Sequence, residues 1–72
     1  MEELQHTLAK NIRMARAQKQ LSQEDLADLT GLDRTYLSGV ERGIRNPTIK
    51  VLEKIAAGLS IEPFELLKKP EG

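Results

Sequence analysis

Residues 23–42, QEDLADLTGLDRTYLSGVER, read as two short helices joined by a tight turn at Thr30-Gly31-Leu32. Ser22, just ahead of them, is a good N-cap whose hydroxyl can accept from an early backbone N–H, and Glu24 and Asp25 suit the positive end of a helix dipole. Leu26, Ala27 and Thr30 form the inward face of a helix running to about Leu29, with Leu21 placed to staple onto Leu26. Gly31 sits where a residue of positive φ is wanted to end it. Asp33 caps the second helix, whose buried side must be Leu37 and Val40, with Leu32 from the turn. Arg34, Thr35 and Ser38 are left on its outward side. Two helices of this length cannot bury their own apolar faces, so the flanking segments should complete a core around them.

Those flanks are helical in pattern. Over residues 3–19, Leu4, Leu8, Ile12 and Ala15 recur at spacings of three and four and place one apolar stripe on the core, with Lys10, Arg13 and Lys19 off it. Arg16 falls on or beside that stripe, where a bare guanidinium is costly, and Glu41 neighbours the buried side of its own helix. Their approach from two helices predicts a structural ion pair, Arg16 with Glu41; the rival reading is two unconnected surface charges. Gly43 ends the third helix and Ile44-Arg45-Asn46-Pro47 is a loop. A fourth helix starts near Thr48, with either Asn46 capping and Pro47 at the first position or Thr48 as the cap. In it Ile49, Leu52, Ile55, Ala56 and Leu59 repeat at helical spacing, Gly58 interrupts at some cost, and Ser60 terminates. Pro63 opens a fifth helix capped by Glu62, in which Phe64, Leu66 and Leu67 supply apolar surface, and KKPEG is expected to fray. No strand pattern, repeat or linker interrupts this, so residues 1–72 are expected to form a single all-α domain of five short helices.

Composition narrows the function. Seventy-two residues allow a small core, and at this size oligomerisation often supplies the missing stability. The absence of cysteine excludes disulfides and thiolate metal sites. The opening MEELQHTLAK is neither a signal peptide nor a membrane span, which predicts a soluble, intracellular protein without membrane contact. His6, the only histidine, has no partner with which to share a metal and reads as an exposed polar residue. There is no glycine-rich phosphate loop and no acid–histidine pair, so no catalytic residue, cofactor or metal is expected. Formal net charge is zero, yet Lys10, Arg13, Arg16 and Lys19 fall in an acid-free run, and Arg34, Arg42, Arg45 and Lys50 share a segment whose one acid after Asp33 is Glu41. A neutral chain can therefore still present a basic face.

Residues 23–42 resemble the helix-turn-helix of phage repressor and Cro-like regulators (the Cro/C1 or XRE type), with Ala27, Gly31, Leu37 and Val40 at the positions where that motif wants a small residue, a turn glycine and two apolar residues. The likeness continues through Ile12 to Arg16 before it, and through Glu41-Arg42-Gly43, Arg45-Asn46-Pro47 and LEKIAAGL after it. Within that family, LDRTYLSGVERGIRN is most similar to the controller proteins of restriction–modification systems. The resemblance implies a lambda-repressor-like fold and binding to double-stranded DNA, with the second helix of the motif entering the major groove.

On that reading Arg34 can donate two hydrogen bonds to guanine O6 and N7, Thr35 can bond a base edge or pack its methyl on thymine, and Ser38 can reach a base or phosphate. Tyr36 could touch a phosphate or pack on the protein itself. Gly39 departs from relatives that carry a base-contacting side chain there. Gln23 would bond a phosphate through its amide, and Arg42, Arg45, Asn46 and Lys50 would hold the other edge of the groove, each with the alternative of a solvated charge.

Such regulators usually act as two-fold homodimers on roughly palindromic sites, with half-sites roughly 34 Å apart. Val51, Phe64, Leu66 and Leu67 are the candidate interface, within a segment, residues 62–72, that the sequence leaves divided between core and dimer contact. The implied protein is a cytoplasmic, nucleoid-associated regulator of a prokaryote or phage, repressing where its site overlaps a promoter and activating where it touches RNA polymerase. The rival is an antitoxin-like interaction module that keeps the fold and has lost DNA binding.

Overall fold

In the computed structural model, which describes residues 2–69, the chain forms five α-helices: α1 (Glu2–Gln18), α2 (Gln23–Thr30), α3 (Arg34–Glu41), α4 (Ile49–Leu59) and α5 (Pro63–Leu67). No strand occurs among the described residues. The helix α1 packs on α3 and α5, α2 on α3 and α4, and α4 on α5, so that every helix faces one common core. Ile12, Leu26, Leu37, Ile55, Leu59 and Leu66 are its fully enclosed large side chains.

Local chemistry accounts for the boundaries. Ser22 Oγ accepts from the Asp25 N–H at 2.9 Å and Asp25 Oδ2 from the Ser22 N–H at 3.0 Å, a reciprocal box that opens α2. Gly31 closes that helix at φ 75° with its N–H on the Ala27 carbonyl, a conformation costly to any residue with a Cβ. Asp33 Oδ2 accepts from the Tyr36 N–H at 3.2 Å to start α3. Of the two caps open for α4, Thr48 serves, its hydroxyl accepting from the Val51 N–H at 3.1 Å. The end of α1 needs a left-handed residue that the pattern had not marked. Gln20 has φ 59°, and the Leu21 N–H reaches back to the Arg16 carbonyl at 2.9 Å.

Three expectations about burial are corrected. Leu4, placed on the core stripe, is 49% exposed, because it borders an open groove with Leu8, Ile49, Leu52 and Leu67 instead of entering the core. Ile49, included in the α4 repeat, is 79% exposed, since the first turn of α4 overhangs the core. Leu66, offered as a dimer contact, is fully buried and closes the core from α5. Phe64, by contrast, is 65% exposed, Leu67 also lies open, and Val51 is half-buried against the core.

Gly58 has a use that the helical repeat did not reveal. A Cβ there would lie 2.7 Å from Thr30 Cγ2 and 3.2 Å from Leu26 Cδ1, so its absence lets α4 approach α2 closely. At the other end of the molecule, Asn11 Nδ2 donates to the carbonyls of Leu66 and Lys68, both at 2.8 Å, and ties α1 to the end of α5.

Candidate nucleic-acid interface

One carboxylate, on the last residue of α3, fixes how that helix is presented. Glu41 is buried, with its side chain 1% exposed. Arg16 meets it side-on, Nε to Oε2 and Nη2 to Oε1 both at 2.9 Å, while Arg16 Nη1 donates to the Leu21 carbonyl at 3.0 Å. Gln23 Nε2 donates to the same Oε1 at 3.2 Å. Arg13 Nη1 adds a bond to the Glu41 main-chain carbonyl, and Gln5 Nε2 donates to that of Gly43. A negative charge at a helix C-terminus opposes the dipole, and two arginines offset both it and the exposed carbonyls. The C-terminal end of α3 is thus pinned to α1 and to the start of α2, and no described buried side-chain nitrogen or oxygen is left unpaired.

Opposite this clamp lies the open side of α3. Arg34 and Thr35 are exposed and Ser38 half-exposed, and together with Gln23 they line one shallow recess. Among the described residues, no hydrogen bond or ion pair engages the side chains of Arg34, Thr35 or Ser38. The structure brings these three together. Gln23 borders them, with one N–H of its amide on Glu41 and the second not engaged by that bond. The bond to Glu41 holds the Gln23 amide at the edge of this recess.

Tyr36 is half-buried and packs against the core, and the Arg45 guanidinium lies over its ring, 5.9 Å from the centroid. Of the two readings of Tyr36, packing on the protein is the one the structure displays. Arg42, Arg45, Asn46 and Lys50 are exposed around the loop that leads from α3 into α4. Arg13 and Asn11 are the residues that sequence reasoning missed. Periodicity marked Arg13 as lying off the core stripe, and its only signal as a brace was its place one turn before Arg16 on the same helix.

The Asp25 carboxyl is held below the ordinary aspartate range by the backbone and then the hydroxyl hydrogen bond of Ser22. No group of acids and histidines among the described residues could hold a metal ion. No helix among them is long and apolar enough to cross a membrane.

Comparison with known proteins places this geometry. A helix-turn-helix family model matches residues 12–66. A hypothetical transcription factor of Neisseria meningitidis serogroup B is 44% identical over 70 residues, 97% of this chain, which spans 66% of that relative's length. The crystal structure of the restriction–modification controller protein C.AhdI from Aeromonas hydrophila superposes with a TM-score of 0.83 at 48% identity, covering 86% of this chain and 94% of that one. C.Esp1396I bound to a 19 base-pair DNA duplex matches with a TM-score of 0.81 at 46% identity over 89% of each chain. From the capped turn of α2 and α3 to the helices that enclose it, this chain belongs to the Cro/C1-type (XRE) helix-turn-helix family, with restriction–modification controller proteins among its relatives.

Proposed function

We propose that this chain is a sequence-specific transcriptional regulator that binds double-stranded DNA as a homodimer and controls restriction–modification genes. The observation that carries the reading is the contrast across α3. Its inner side and end are fully engaged, whereas Arg34, Thr35 and Ser38 stand together, polar and unpaired among the described residues, on the side a major groove would meet. A relative of the same fold, C.Esp1396I, solved as a tetramer on its natural operator and bound to a 19 base-pair DNA duplex, supports it.

In this reading Arg34, Thr35 and Ser38 read bases, and Gln23, through the N–H that Glu41 does not take, together with Arg42, Arg45, Asn46 and Lys50 holds phosphates. The ring of Tyr36 backs Arg45, and its phenol is the part that reaches phosphate. Phe64, Leu67 and the exposed edge of Val51 meet the second copy, leaving Leu66 to the core. The chain acts as one domain in the cytoplasm, by occupying its site rather than by catalysis, and touches RNA polymerase where the site lies beside a promoter.

Titration of the upstream DNA against salt tests this. Six phosphate contacts predict a log–log slope of roughly −5. Arg34→Ala should cost ~1–3 kcal/mol and relax discrimination at one base pair, whereas Lys50→Ala should weaken all sequences similarly. Absence of a salt-dependent, sequence-preferring complex would sink the proposal, and a uniform effect of both substitutions would remove Arg34 as a base reader.

A further inference from the structure

Gly39 is buried on α3, one turn beyond Thr35, at the place where the outward side of the helix carries no side chain. The space is not empty. A Cβ built on Gly39 would lie 2.6 Å from Arg45 Cγ and 3.6 Å from Arg45 Cβ, so the aliphatic stem of Arg45 occupies it. The backbone holds that arrangement, because the N–H groups of Ile44 and Arg45 both donate to the Gly39 carbonyl, at 3.0 and 3.2 Å. From there the side chain runs back along α3 until its guanidinium lies over the Tyr36 ring.

We infer that Gly39 is a positioning residue: by lacking a Cβ it lets Arg45 cross α3 and lie on Tyr36, which fixes the guanidinium over that ring as a phosphate-holding cation. The inference rests on the DNA-binding reading above and adds to it a cause for the placement of one contact. A free arginine on a loop gives up rotamer freedom when it engages a phosphate. Here that freedom is already restricted, by the groove at Gly39 and by the attraction between a cation and an aromatic face. Position 39 thus contributes to binding through a side chain six residues further on.

The substitution Gly39→Ala separates this role from a structural one, because the two predict opposite results. In a helix interior alanine is favoured over glycine, and the displaced Arg45 Cγ, near the root of an exposed side chain, clears the new methyl by a change of χ1 rotamer that carries the guanidinium off Tyr36. Gly39→Ala should therefore keep or raise the thermal midpoint while lowering affinity for operator DNA on the order of tenfold, and should reduce the salt slope by about two, one for each copy in the dimer. Arg45→Ala should match it in both respects, and the double variant should be no weaker than either single one. In the absence of DNA, the Arg45 methylene protons should be shifted upfield by the Tyr36 ring in the parent and not in Gly39→Ala.

Undiminished affinity in Gly39→Ala, or losses that add in the double variant, would overturn the inference. A lowered midpoint together with unshifted methylenes in the parent would reduce Gly39 to a packing residue. Failure of the parent itself to bind DNA refutes the functional reading instead, and the proton shifts then still decide whether Gly39 places Arg45.

Discussion

The two ends of the molecule are held by different forces. At the α2–α3 corner the deciding contact is ionic and buried: Arg16 and Gln23 converge on the Glu41 carboxylate, with Arg13 on its carbonyl. At the α5 end the deciding contact is apolar, Leu66 sunk in the core, with Asn11 as a polar tie and with Phe64, Leu67 and Ile49 left open. A buried ion pair gives little net stability and fixes a geometry, since only one arrangement satisfies it. Apolar packing gives stability and tolerates small displacements. The end that must hold a reading helix at a set angle is built the first way, and the end proposed to face a second copy is built the second way.

Breaking the corner should have the largest effect. Arg16→Ala leaves the Glu41 carboxylate buried with only the Gln23 amide and should cost about 3–5 kcal/mol, measured as a loss of free energy in urea unfolding. A cost below about 1 kcal/mol would show that water repairs the gap and that the corner is no more constrained than a surface pair. Leu66→Ala, at the opposite end, should cost about 2–4 kcal/mol. It should do so without the altered DNA preference that a tilted α3 produces in Arg16→Ala, and a changed preference would erase the contrast.

Gly58→Ala sharpens the comparison where both ends meet. The added methyl presses on Thr30 and Leu26 and should cost about 1–3 kcal/mol despite the higher helix propensity of alanine, the reverse of the outcome at Gly39. Phe64→Ala should leave urea unfolding of the monomer nearly unchanged and raise the dimer dissociation constant about tenfold by sedimentation, equivalent to about 1.4 kcal/mol. If dimerisation is untouched, the second copy sits elsewhere.

The smallest effect concerns pH. The folded-state carboxyl of Asp25 titrates lower than in the unfolded chain, so its contribution is complete above the ordinary aspartate value of about 4 and disappears as pH falls through the lowered one. Asp25→Asn should be less stable than the parent at neutral pH, with the gap closing in acid. A gap constant down to pH 2 would assign the contribution to shape rather than to charge.

The corner was the part most legible in the sequence, because its signals are local. Ser22, Asp25, Gly31 and Asp33 each act within four residues of where they stand, and their caps and turn appear as read. Arg16 and Glu41 could be paired in advance because each was a charge close to an apolar stripe. What could not be read depends on where helices end against one another. Periodicity assigns a face to Leu4 and Ile49 but cannot tell that the neighbouring helix stops short of them. Nor does it distinguish Leu66 from Leu67, adjacent residues of which one is enclosed and the other open. Asn11 and Arg13 act on main-chain carbonyls distant in sequence, which no pattern of side-chain types records. At Gly39 the missing side chain was visible, and the arginine that fills its place was not.

The tie from Asn11 to the carbonyls of Leu66 and Lys68 also sets an order of events during synthesis. Helix α1 leaves the ribosome first, yet its partner α5 is made last of the five, more than fifty residues later. The core lacks Leu66 until then, and the face of α1 that Leu66 will cover stays open to water for the seconds that translation takes. A nascent chain long enough to contain the whole turn of α2 and α3 is therefore still without the last element of its core, and the bond from Asn11 to α5 can close only once residue 68 has been made.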